Sequence, residues 1–265
     1  RYNVIRWVTS PSSGYAVALF RANPLTGQIL NASITVDANM TRFARAEFKR
    51  MINPLSAFEQ EPSPANPFHC DIAEEAAYHA WFGAMAMKLM QSPKSTRISE
   101  KEYVKQYIRD IAAHEMGHIL GLRHNFIAST LHSTKDLCHG ERIQQMGVSA
   151  SVMDYTPVNI MALRSPKSFY WHQGLGVYDY WAIEYGYKPS KARTPEAELP
   201  MLRAIARRGT EPGLAYMGDE FADSVDPLIT RFDLGKDPLE YWATVFRDVN
   251  TMIPQLPAKA VKPGS

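Results

Sequence analysis

The run His114-Glu115-Met116-Gly117-His118-Ile119-Leu120-Gly121-Leu122-Arg123-His124 reads H-E-x-x-H-x-x-G-x-x-H. On a helix, positions i and i+4 share a face, so His114 and His118 can aim at one ion. Glu115 lies about 100° further round the same helix, beside such an ion without being an obvious ligand. Gly121 can take the left-handed conformation that ends a helix, after which the chain can turn and bring His124 back as a third ligand. Three histidines suit a zinc ion and leave its fourth position open to water. Bound zinc lowers the pKa of that water towards neutrality, and a neighbouring carboxylate can take the proton. The run therefore reads as a hydrolytic centre, with His114, His118 and His124 as zinc ligands and Glu115 as general base. An ordinary buried helix carrying satisfied histidines would explain neither the glycine nor the third histidine.

A second run, Ser151-Val152-Met153-Asp154-Tyr155, follows downstream. The long histidine motif followed by a methionine turn is the metzincin pattern. The chain resembles the metzincins, and most closely the bacterial zinc-dependent metalloproteases with a Met-zincin domain. The closer likeness is carried by Gly121-Leu122-Arg123-His124-Asn125-Phe126, by residues 151–155, and by Asn23-Pro24-Leu25-Thr26-Gly27-Gln28-Ile29-Leu30. It is good over about residues 1–190 and weaker beyond. The residue after the third histidine is Asn125, where better-known metzincin branches carry Glu, Asp, Ser or Pro, so the specificity rules of those branches do not carry over.

The resemblance implies a zinc-dependent metalloendopeptidase acting on polypeptides, secreted or periplasmic. It implies that Met153 forms an apolar floor beneath the histidines without binding metal. It gives Tyr155 a phenol that reaches the metal or steadies a developing oxyanion; the competing reading is a core tyrosine packed under the site. Two other functions stay open: a narrow-scope zinc exopeptidase or amidase, and a catalytically silent zinc-bearing binding module. The implied fold is α/β and metzincin-like (zincin), a small twisted mixed sheet with the active-site helix and a mostly helical C-terminal subdomain. Residues 1–190 form the catalytic domain, with an upper subdomain over residues 1–121 and a lower one over residues 122–190. Residues 191–265 form a helical extension packed on it. Metzincin domains carry further elements before the edge strand, so the chain is expected to belong to a longer one with upstream domains.

The elements that must position these residues are legible in outline. Strand compositions occur at 4–8, 15–20 and 29–36, separated by turn signals at 11–14 and 24–27. The segment 15–22 is the expected edge strand, the one that pairs with extended substrate in metzincins. A short helix is expected over 41–52 and an irregular Pro-rich loop over 53–68. Capping boxes at Asp71-Ile72-Ala73-Glu74 and Ser99-Glu100-Lys101-Glu102 start helices reaching about Gln91 and Leu122. His79, on the first, reads as structural. The segment 125–150 reads as mostly loop, with His132 and His139 exposed. Residues 176–186 read as a helix ending at glycine, and Asp237-Pro238 as the cap and first position of another.

Composition narrows the partners. The net charge of +2 over 265 residues gives no electrostatic footprint for nucleic acid or an anionic membrane. The most apolar stretch, 76–90, is too short to span a bilayer. Asp219, Glu220, Asp223 and Asp226 could bind Ca2+ but lack EF-hand spacing, and turn or cap roles suit them better. The two cysteines, Cys70 and Cys138, leave a disulfide, two buried thiols, and a metal site with His69 and His139 as alternatives.

Overall fold

In the computed structural model, residues 2–9, 15–40, 72–90, 98–165, 168–222 and 226–255 are described. The expected helix over 41–52, the Pro-rich loop, Cys70 and the Asp71 cap lie outside them.

Three strands form one mixed sheet: β1 (Val4–Val8), β2 (Ala16–Ala22) and β3 (Ile29–Asp37), in the order β1-β3-β2. β3 is central, parallel to β1 and antiparallel to β2. Its alternation decides its faces: Ala32, Ile34 and Val36 are buried, while Asn31, Ser33 and Thr35 point the other way. The β2–β3 turn closes through Gly27 at φ 70, with Gly27 N–H donating to Asn23 O and Asn23 Oδ1 accepting from Leu25 N–H. β2 is an edge strand among the described residues and lies against the histidine-bearing helix.

That helix, α2 (Glu100–Ile119), follows α1 (Ile72–Leu89). Ser99 caps it, its Oγ accepting from Glu102 N–H at 3.1 Å. Tyr103, Tyr107 and Ile111 recur every fourth residue and are at most 2% exposed, so one stripe of α2 is core. The Tyr103 hydroxyl donates to Ala80 O of α1 at 2.7 Å, and Trp171 tilts over Tyr107. His79 of α1 is stacked on Phe232 at 4.9 Å, and burial pushes its pKa down to about 4, which suits a packing role.

After α2 the chain is helical and irregular. Between His124 and the methionine turn, where a loop is expected, lie two 3-10 turns (Ala128–Leu131 and Asp136–Cys138) and α3 (Gly140–Met146). His139 is exposed as expected, but His132 is not. His132 is fully buried, its Nε2 on Gly147 O at 3.0 Å, a contact with a segment fifteen residues on that no local pattern signals. Cys138 is a free, half-buried thiol.

Then come α4 (Val177–Tyr187), which runs through Gly186 rather than stopping there, α5 (Pro195–Ala206) and α6 (Pro238–Met252). Asp237 caps α6, accepting from Leu239 and Glu240 N–H. Tyr241, Val245 and Met252 of α6 pack with Leu137, Ile143, Ile160 and Leu234 into a second core. No described helix is long and apolar enough to cross a membrane.

Candidate metal centre and active site

α2 ends where the motif requires. Leu122 N–H donates to Gly117 O and Gly121 N–H to His118 O, both at 3.0 Å, with Gly121 at φ +84. This pair of bonds around a left-handed glycine is the Schellman stop. It reverses the chain in three residues and returns His124 to the two helical histidines. Ring centroids lie 4.7 Å apart for His114–His118, 4.8 Å for His118–His124 and 5.3 Å for His114–His124. One ligand atom from each of the three lies within 4.8 Å of the others.

Each ring is oriented through Nδ1. His114 Nδ1 meets Val152 O at 2.7 Å, His118 Nδ1 meets Leu122 O at 3.1 Å, and His124 Nδ1 meets Asp219 Oδ1 at 2.6 Å. A carbonyl or a carboxylate can only accept, so Nδ1 carries the hydrogen in all three and Nε2 carries the lone pair. Burial first, then the neighbouring histidines, push the His114 pKa well below the usual imidazole range. Burial also lowers His118 and, against the pull of Asp219, His124. Three neutral imidazoles with Nε2 lone pairs are the donor set that zinc takes, so these residues fit the ion that the motif implies.

Met153 approaches α2 closely at Gly117. Met116 faces solvent and is 42% exposed, whereas its neighbour Gly117, about 100° round the helix, faces the interior, where a Cβ would overlap Met153 Sδ. Met153 is fully buried. The turn that carries it is held by Asp179 of α4, whose carboxylate accepts from Ser151 Oγ at 2.6 Å, Val152 N–H at 3.0 Å and Gly176 N–H at 2.7 Å. Gly176 is required there, since a Cβ would run into the Ala150 carbonyl. A relay of support therefore runs from Asp179 through Val152 to His114.

Glu115 is fully buried on the turn of α2 between His114 and His118. Tyr155 is 3% exposed and sets its ring 4.7 Å from His124 and 5.5 Å from His114, with Phe126 and Phe232 on its other sides. It is thus both packed and next to the histidines.

The sequence profile of the Met-zincin family matches residues 96–265. The chain belongs to the Met-zincin family. No curated protein and no solved structure matches it. The likeness of this Met-zincin chain to its family runs through residue 265, past the point near 190 where recognisable motifs thin out.

Within that match lie two residues that motif reading misses. Asp179 sits three positions after Gly176, which reads as an ordinary helix cap; its partners in the methionine turn are non-local. Asp219 reads as one carboxylate of an acidic stretch, yet it meets His124. Arg123 joins it, at 3.4 Å from Asp219 and 3.0 Å from Glu220. Asp226 Oδ1 accepts from Leu228 N–H in a turn, and Asp223 lies outside the described residues.

Proposed function

We propose that this Met-zincin is a zinc-dependent metalloendopeptidase. The observation that carries the reading is the convergence of three histidines whose Nδ1 hydrogens are all spent on acceptors, with a buried glutamate between the first two. His114, His118 and His124 would hold the ion. When bound, zinc supplies Lewis acidity towards a peptide carbonyl and acidifies a water.

The chain's own groups do the rest. Glu115 takes a proton from the attacking water as its oxygen bonds to the carbonyl carbon. It then delivers that proton to the nitrogen as the C–N bond breaks, leaving a carboxylic acid and an amine. The Tyr155 phenol, beside His114 and His124, donates a hydrogen bond to the oxygen on which negative charge develops. Met153 keeps the underside apolar and fixes the height of α2 above the turn. β2, an edge strand against α2, offers backbone groups along which an extended polypeptide can align. The family resemblance supports a secreted or periplasmic location, and upstream domains in the whole protein.

Metal analysis tests the reading. One zinc per chain in the wild type, lost in His118→Ala, together with zinc-dependent hydrolysis of an internally quenched peptide, is the expected result. Zinc without hydrolysis of any peptide or amide favours the silent binding module, and cleavage confined to terminal residues favours the exopeptidase.

A further inference from the structure

We infer that residues 214–219 form a strap that belongs to the metal site, registered by Asn125 and ending in Asp219, which positions His124. The inference rests on the proposed zinc reading and deepens it. The three rings differ in where their orientation comes from. His114 and His118 are turned by the backbone carbonyls Val152 O and Leu122 O, one in the methionine turn and one in the helix stop. His124 stands after the end of α2, with no helix to fix it, and is turned by the side chain of Asp219 at 2.6 Å. The third ligand thus depends on a carboxylate brought from the C-terminal region of the chain.

Asn125 brings it there. Its side chain is fully buried and bonds the strap like a short β-bridge: Nδ2 donates to Ala215 O and Oδ1 accepts from Met217 N–H, both at 3.0 Å. Phe126 N–H adds a bond to Met217 O at 2.8 Å, while Asn125 N–H donates to Met153 O at 3.0 Å. One residue next to His124 therefore ties the methionine turn on one side and the strap on the other. The amide meets the two partners with a donor and an acceptor on separate atoms; an ionised Glu or Asp, which only accepts, or a Pro could not make both bonds, and a Ser has only a single oxygen on a shorter side chain. With Met217 registered, Asp219 falls two residues on, opposite His124. The Arg123 contacts to Asp219 and Glu220 lie on the outer surface, where exposed ion pairs contribute little. The His124 contact carries the function: an acceptor on Nδ1 fixes the ring and raises the basicity of Nε2 as a ligand.

The test is zinc affinity of the full chain, measured by competition with a chromophoric chelator, for wild type, Asp219→Asn and Glu220→Gln. Visible absorption of the Co2+-loaded forms and melting of the metal-free forms accompany it. Asp219→Asn is expected to bind zinc about 10- to 100-fold more weakly and to shift the Co2+ bands, with metal-free melting as in wild type. Glu220→Gln, which alters the strap's other Arg123 contact, is expected to match wild type in all three. Asn125→Ala is expected to weaken zinc like Asp219→Asn. Zinc affinity of Asp219→Asn within twofold of wild type, or a loss shared equally by Glu220→Gln, overturns the inference. Wild type that binds no zinc overturns the metal reading itself.

Discussion

Gly117 and Met153 compete for one small volume beside α2, so a methyl group added at 117 tests that contact directly. Gly117→Ala places a Cβ onto Met153 Sδ, and the methionine is fully buried. Overpacking of this kind costs about 1–3 kcal/mol, while replacing a mid-helix glycine by alanine returns up to about 1 kcal/mol. The net change expected is a loss of about 0–3 kcal/mol. Met153→Ala alone opens a cavity and is expected to cost about 2–5 kcal/mol. In the double variant the new methyl enters the space that the thioether vacates. The overpacking cost disappears and some of the cavity fills, so the double variant should be more stable than the sum of the singles by about 1–3 kcal/mol. Denaturant unfolding of the metal-free chain gives all four corners of the cycle. Additivity within about 0.5 kcal/mol would refute the contact between residue 117 and the methionine, and with it the account of why a glycine stands inside this helix.

Asp179→Ala should destabilise the chain by about 3 kcal/mol or more, because it strands three buried donors at Ser151, Val152 and Gly176; chemical denaturation measures this, and a cost below about 1 kcal/mol would argue against the relay to His114. Asp233 is fully buried, and burial pushes its pKa up to about 7. The folded chain then keeps a proton that the unfolded chain releases near pH 4, so this residue makes stability fall as pH rises from about 4 to about 7. At about 1.4 kcal/mol per unit the effect is on the order of 4 kcal/mol, and Asp233→Asn should gain on wild type across that window in a pH series of melts. Equal slopes for the two proteins would contradict it.

The features of the site that sequence reveals are those encoded locally. The i, i+4 histidines need only a helix, which Ser99 starts and Gly121 stops through bonds within a few residues. β3 is legible because Ala32, Ile34 and Val36 alternate with polar neighbours. Met153 is legible through its five-residue context. What escapes is whatever depends on distant chain segments meeting. Asp219 and Asp179 have unremarkable neighbours, and only the folded chain shows that one serves His124 and the other the methionine turn. His132 lies in a polar stretch with no periodicity to mark a core position, and tertiary contact buries it. Asn125 stands out in sequence as a departure from other metzincins; its reason is the backbone of residues 215–217, which no local pattern brings near.

Mapping cleavages in a proteome-derived peptide library by mass spectrometry, with the zinc-loaded chain beside its Glu115→Ala form, tests the central claim most directly. Internal cuts by the wild type that vanish in Glu115→Ala, with zinc retained by both, are the predicted result. Equal cutting by the two forms, or no cutting by a zinc-loaded wild type, would contradict the account of Glu115 as the base of a metalloendopeptidase.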